Sequence, residues 1–389
     1  MKLKYMKLMT VFLCFVFLIS SYPCFSADAL EFDIDAKSAI LMEASSGKVL
    51  YEKNPHEKLP PASITKIMTM LLVMEAVDRK EISLDDKVLI SERAASMGGS
   101  QLYLEPGEEK TVEELLKGVA VASANDAAVA LAEYISGTEE MFIKKMNERA
   151  KELGMKNTQF MNTNGLPQEG HLTTAYDIGL MSRELLKHPK VHDWLTIWMT
   201  TMKVGLPNKK TTNLELTNTN RLIKTYPGAN GIKTGYTADA KYCLSASATK
   251  NGLTLIAVIL GSPTSQIRFA EAQKLLNYGF STYSSVPIAK KNQVIREIPV
   301  EKGKEQKVAA VTESELNVVV KKGEEDKVQK EIVLPDKIKA PFAAGEKIGE
   351  IIVKKENEEI GRVNIITKKE IESASFFNIF QNIMKQVIE

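Results

Sequence analysis

The chain has 389 residues, with 51 Lys and Arg against 49 Asp and Glu, three Cys, four His and 44% hydrophobic residues. A formal charge of +2 excludes a globally basic protein held by phosphate contacts, and the apolar share excludes a disordered chain. Three Cys and four His leave little material for a multi-ligand metal site, so no metal, cofactor or nucleic-acid partner is expected.

The N-terminus carries Lys2, Lys4 and Lys7, then an apolar run over 8–19, then Ala27-Asp28-Ala29. A basic start, a short apolar core and a small-residue exit predict a signal peptide over 1–29, cut before Leu30. A cut after Ala27 and an uncleaved anchor are the alternatives, although the run is short of the roughly 20 residues a membrane span needs. Cys14 and Cys24 fall inside this leader, which leaves Cys243 alone and no internal disulfide. The expected location is the outer face of a cytoplasmic membrane or the wall space beyond it.

Residues 37–51 read as a hairpin turning at Ser45-Ser46-Gly47. Helical periodicity follows over 63–79, over 111–135 with Thr111 and Glu114 as a capping box, and over 139–153. Two β-rich runs, 242–249 and 253–260, flank Asn251-Gly252, the strongest short hairpin signal, and 266–278 reads as a closing helix. Strands at both ends of a helical middle predict an α+β domain over 30–283 with a mainly antiparallel sheet. Short alternating runs over 286–300, 307–311, 316–321, 330–334, 347–354 and 359–366 predict a small all-β domain over 284–370. In the last segment, 371–389, Phe376, Phe377, Phe380, Ile383, Met384 and Val387 follow helical spacing opposite polar residues. That face predicts an amphipathic helix lying on a membrane surface, with docking on its own domain as the alternative.

Three motifs stand in order. Ser63 and Lys66, three apart at a helix start, share one face, and a neutral lysine can serve as base for a serine nucleophile. A lysine is neutral near pH 7 only where burial or a second cation lowers its pKa. The same Ser-x-x-Lys spacing at Ser247 and Lys250 lies on a predicted strand, where the two side chains point apart. Ser123-Ala124-Asn125, set in an apolar stretch, reads as a polar site wall or as a helix cap. Lys233-Thr234-Gly235, just before the hairpin, reads as a turn or as an anion site with room for a second backbone at Gly235. The intervals are 60 residues (63 to 123) and 110 residues (123 to 233).

That ordered set closely resembles the low-molecular-mass penicillin-binding proteins that are serine-type D-alanyl-D-alanine carboxypeptidases, peptidase family S11, the sporulation-type branch among them. The resemblance runs over 37–283 and includes Met97-Gly98-Gly99-Ser100, Asn164-Gly165-Leu166, His171 to Asp177 and Asn218-Thr219-Asn220. It implies a penicillin-binding-protein/β-lactamase-like transpeptidase fold, followed by that family's β-rich second domain. It also implies an acyl-enzyme on Ser63, with Lys66 taking its proton and Ser123 relaying one to the leaving amine. Asn125 holds the peptide or the lysine. The resemblance further implies that Lys233, Thr234 and Arg268 bind the terminal carboxylate, that Gly235 lets the strand approach, and that the backbone N–H groups of Ser63 and Tyr236 form the oxyanion hole. The implied partners are peptidoglycan stem peptides and β-lactam antibiotics. Two departures are Ala124, where many relatives carry Gly, and Tyr236, where many carry His.

Rival readings are a serine β-lactamase, which needs a deacylating Glu near an Asn that 184–187 does not supply, and a non-catalytic wall-binding or sensor protein. His188 and His192 have metal-like spacing, but Pro189 interrupts it. His171 is expected to order a loop and Cys243 to pack in the core. Tyr103 and Tyr236 are expected either in the cleft or in the core.

Overall fold

The computed structural model describes residues 32–206 and 208–375. The leader expected over 1–29 and the helical face of 376–389 lie outside the described residues.

Five antiparallel strands form the main sheet: β1 (Ser38–Glu43), β2 (Val49–Lys53), β3 (Ala229–Thr237), β4 (Lys241–Lys250) and β5 (Leu253–Ser262), in spatial order β2-β1-β5-β4-β3. The β4–β5 turn has Asn251 and Gly252 at φ 50° and 75°, the two positive values that a tight hairpin turn with right-handed strand twist requires. β3 lies at the sheet edge, hydrogen-bonded within the sheet only to β4.

Helices α1 (Lys66–Asp78), α2 (Val112–Lys117), α3 (Asn125–Ser136), α4 (Glu139–Glu152) and α5 (Ala175–Leu185) make the middle of the domain, and α6 (Ser265–Thr282) packs on the sheet. α1 is buried on nearly every side, from Lys66 through Met74. A helix apolar all round belongs in the interior, and this one is the centre of the larger core, with Met42, Leu131 and Phe160 among its neighbours in the cluster. The capping box at Thr111 and Glu114 is present at the start of α2.

The single helix expected over 111–135 is interrupted. After α2 the chain makes a π turn, Gly118–Ala122, then Ser123 takes a left-handed conformation (φ 61°, ψ 33°) and Ala124 is extended before α3 begins. Tertiary hydrogen bonds override the periodicity here. The buried Asp126 carboxylate accepts the N–H groups of Leu102 (3.0 Å) and Leu104 (3.2 Å), and Asn125 N–H donates to Ser100 O at 2.7 Å.

Beyond α6 the chain forms β6 (Tyr283–Ala289), β7 (Val294–Glu301), β8 (Lys307–Thr312), β9 (Leu316–Lys321), β10 (Val328–Val333), β11 (Ile338–Lys339), β12 (Lys347–Lys355) and β13 (Glu358–Thr367). The run expected over 286–300 is two strands in different sheets. β6 pairs with β9, whereas β7 joins a six-stranded sheet ordered β10-β12-β13-β8-β7-β11. Ile298, Ala310, Val318, Ile351, Val353 and Ile365 fill this separate core. The β domain extends past 370, because Ile371 bridges Phe342 and Ser373 bridges Gly303.

Candidate active site

Ser63 sits in a single 3-10 turn, Ala62–Thr65, and Lys66 opens α1 directly behind it. Lys66 Nζ lies 3.1 Å from Ser63 Oγ, 2.6 Å from Asn125 Oδ1 and 2.6 Å from the Asn164 carbonyl, with no solvent exposure. Burial is the main force lowering its pKa well below the usual 10.5. The nearby Lys233 adds to that, and the Asp126 carboxylate opposes it. A neutral amine has lone-pair capacity to accept the serine proton.

The broken helix explains how Asn125 arrives. As first residue of α3 it turns Oδ1 to Lys66 and gives Nδ2 to Gly98 O at 2.6 Å, pinning the 97–100 loop. Ser123 is 4% exposed and does not cap α3. The cap position is Ala124, which has no capping side chain.

The edge strand β3 forms the opposite wall. A Cβ on Gly235 would stand 3.0 Å from Ser63 N and 3.1 Å from Pro61 O, so glycine spares a crowded contact where the strand passes the Ser63 turn. Lys233 is 1% exposed, its Nζ donates to Thr234 O at 3.1 Å, and burial with the Arg268 charge lowers its pKa to about 7. Thr234 Oγ1 donates to Thr219 Oγ1 at 2.6 Å. Tyr236 is 56% exposed and stacks on Tyr242 with ring centroids 4.5 Å apart. Tyr103 is likewise exposed, so neither tyrosine is a core residue.

Arg268, expected to bind the terminal carboxylate, reaches the backbone of β3 and β4. The side chain is buried, and its Nη1 donates to the carbonyls of Gly235 and Cys243, both at 3.1 Å. Nη2 donates to Ser265 Oγ at 3.3 Å. The guanidinium thus braces β3 and β4, and its charge acts on Lys233 from there. Burial lowers its own pKa to about 10.

Several contributors escaped the sequence reading. Asn164 acts through its backbone carbonyl, which no side-chain pattern reveals. A Cβ on Gly165 (φ 88°) would stand 1.8 Å from Ala62 O, so this glycine lets the 162–166 loop press on the nucleophile turn. Thr219 is held between two buried asparagines. Asn218 Nδ2 donates to Ile197 O at 2.8 Å, Asn220 Nδ2 donates to Gly231 O at 2.9 Å, and the Thr219 N–H reaches Val121 O at 3.2 Å. The quoted Asn218-Thr219-Asn220 was the available signal for it.

His171 ties the 161–171 loop to the nucleophile turn, since Nδ1 accepts the Met161 N–H at 3.0 Å and Nε2 meets Thr65 Oγ1 at 2.8 Å. Burial drives its pKa down to about 4, so it is neutral. His188 pairs with Asp78 (2.6 Å) and His192 with Leu186 O (3.1 Å). Cys243 is buried, its thiol pushed up to about 11. The second Ser-x-x-Lys is split: Ser247 Oγ bonds Asn230 Oδ1, while Lys250 Nζ lies over the Tyr226 ring at 4.2 Å.

The family model described as D-alanyl-D-alanine carboxypeptidase, peptidase S11, matches residues 25–264. The chain belongs to this S11 family. A second model, the C-terminal domain of penicillin-binding protein 5, matches 283–373, the stretch that carries the β domain. This S11 chain is 48% identical to the D-alanyl-D-alanine carboxypeptidase DacF of Bacillus subtilis, over 90% of the chain and 89% of the relative. It is 35% identical to DacC of Escherichia coli, over 88% of the chain and 86% of that relative. Among solved structures, penicillin-binding protein 5 of Haemophilus influenzae superposes with a TM-score of 0.71 at 30% identity, covering 88% of this chain and 98% of that one. The Streptomyces K15 DD-transpeptidase gives 0.60 at 32% identity, covering 64% of this chain and 98% of that one.

Proposed function

We propose that this S11 enzyme removes the terminal D-Ala from peptidoglycan stem pentapeptides through an acyl-enzyme on Ser63, and so limits cross-linking. The observation that carries the reading is the desolvated Lys66, 3.1 Å from Ser63 Oγ and bonded to an amide and a carbonyl rather than to a carboxylate.

Ser63 Oγ attacks the penultimate D-Ala carbonyl while its proton passes to Lys66 Nζ. The Ser63 and Tyr236 N–H groups receive the developing oxyanion, and Lys233 with Thr234 receives the terminal carboxylate. Arg268 keeps β3 in place and adds positive field. The C–N bond breaks, Ser123 passes a proton to the amine and is reprotonated by Lys66, and D-Ala leaves with Lys66 neutral again. Water then cleaves the ester, giving its proton to Lys66, and Ser63 is regenerated. Penicillin acylates Ser63 by the same first step and is released slowly.

The β-lactamase alternative requires an acid positioned to activate the deacylating water. Glu184 is instead engaged with Lys187 (2.6 Å) and Arg149 (3.5 Å), which argues for slow deacylation. D-Ala release from diacetyl-Lys-D-Ala-D-Ala, lost in Ser63→Ala together with fluorescent-penicillin labelling, is the expected result. No release from folded wild-type protein overturns the proposal, and rapid penicillin hydrolysis favours the β-lactamase.

The leader composition and the apolar face of 376–389 support an exported enzyme held at the outer face of the cytoplasmic membrane by its tail. Deleting 376–389 is expected to move the protein into the soluble fraction. Persistence of the shortened protein on membranes overturns the anchor.

A further inference from the structure

Resting on that reading, we propose that Glu139 is a positioning residue for acylation. Its single carboxylate ties together the two loops that hold oxygen atoms against Lys66, and so keeps the base in line with Ser63.

Besides Ser63, Lys66 Nζ bonds the Asn164 carbonyl, on the 162–166 loop, and Asn125 Oδ1, whose amide the 97–100 loop orients through Gly98 O. Neither loop is a regular element, so each needs support from outside the site. On the first loop, Thr163, the residue before Asn164, is gripped twice. Its carbonyl accepts Thr69 Oγ1 at 2.6 Å, and its own Oγ1 donates to Glu139 Oε1 at 3.0 Å. Thr69 stands three residues after Lys66 in α1, so one face of that helix bonds two successive carbonyls of the loop. On the other side, Arg93 lies in the short helix Glu92–Ala95 and donates to the second oxygen, Glu139 Oε2, from Nη2 at 2.9 Å and Nε at 3.2 Å. That helix runs directly into the 97–100 loop, with the Met97 N–H on Ala94 O at 3.2 Å.

A carboxylate in the first turn of a helix needs no further reason, since it meets the positive end of the helix dipole. Glu140 supplies that charge from the surface of α4. Glu139, the first residue of α4, is instead buried, as are Thr163 and Thr69, and its oxygens bond outside the helix. A buried carboxylate is costly unless it is paired and hydrogen-bonded. Here one oxygen takes a hydroxyl from one loop and the other takes a guanidinium from the approach to the second. The charges acting on Lys66 are those of Lys233 and Asp126, so Glu139 acts on the base through the loops.

The test follows fluorescent-penicillin acylation of the full chain against pH, alongside D-Ala release from diacetyl-Lys-D-Ala-D-Ala. Thr163→Val removes the hydroxyl and keeps the shape. Acylation at neutral pH is expected to slow about ten- to hundredfold, the scale on which a displacement of ~1 Å is felt. Its rising limb is expected to move to higher pH, because a slackened loop admits water to an amine held neutral chiefly by burial. Thr163→Ser, which restores the hydroxyl, is expected to recover most of the rate. Arg93→Met alters a largely exposed side chain and is expected to act in the same direction through the other loop, by about threefold or more. If Thr163→Val does not fold, Arg93→Met decides alone. Unchanged rate and limb in the folded variants overturns the tie and leaves the carboxypeptidase reading intact. A slower rate with an unmoved limb overturns it as well, since plain destabilisation does that. A wild-type protein that neither labels nor releases D-Ala removes that reading and the tie with it.

Discussion

Lys66 is surrounded by neutral oxygens, those of Ser63, Asn125 and Asn164, and is fully buried. A charged ammonium there lacks a counter-ion in contact, so the interior disfavours the protonated form. Lys233 contributes through its own charge. Acylation by penicillin is therefore expected to rise with pH through the Lys66 titration, because the protonated amine cannot accept the serine proton. In Lys233→Gln that rising limb is expected to move to higher pH, since a cation that disfavours protonation of Lys66 is gone. An unmoved limb in the pH profile of labelling would contradict the coupling. Lys233 also links folding to pH. Its folded pKa is about 7 against a usual 10.5, so between those values the unfolded chain holds a proton that the folded one lacks. Stability from this group rises with pH across that window and is constant below it, where both states are protonated.

At the scale of elements, the site depends on a helix that stops and restarts. Asp126 stabilises the break by accepting the Leu102 and Leu104 N–H groups from the loop that also meets Asn125. Asp126→Ala is expected to leave these buried donors unpaired, at a cost of about 2–4 kcal/mol, observable as a lower midpoint in urea denaturation. Acylation is expected to slow as well, because Asn125 loses the loop that orients it. A stability change below ~0.5 kcal/mol would show that the break is held by packing alone.

Across the whole molecule, the catalytic elements end with α6, and the β domain has its own core. The Streptomyces K15 enzyme, which covers 64% of this chain, is nearly entirely matched in its own length. A protein ending at residue 283 is therefore expected to fold and to be acylated by penicillin within about threefold of the full chain's rate. At the end of α6 the Lys322 N–H donates to Thr282 O at 2.9 Å. Loss of labelling in a truncated protein with a cooperative unfolding transition would show that the β domain shapes the cleft.

What the sequence determined by itself was chemical identity and local periodicity. The three motifs, through the family resemblance they carry, suggested candidate nucleophile, base and anion-binding residues, and the three-residue spacing at a helix start placed Ser63 and Lys66 on one face. The α+β order, the capping box, the Asn-Gly hairpin and the all-β second domain were legible for the same reason, each being a local signal. Tertiary structure decided what depends on partners distant in the chain. The break at Ser123 comes from hydrogen bonds to the 98–104 loop, and the role of Asn164 from a backbone carbonyl. The position of Arg268 comes from carbonyls on two strands, and the lowered pKa of Lys66 from its burial at the start of α1. Composition left 51 cationic residues indistinguishable; among the described residues the fold takes Lys66 and Lys233 almost wholly out of water and thereby alters their chemistry.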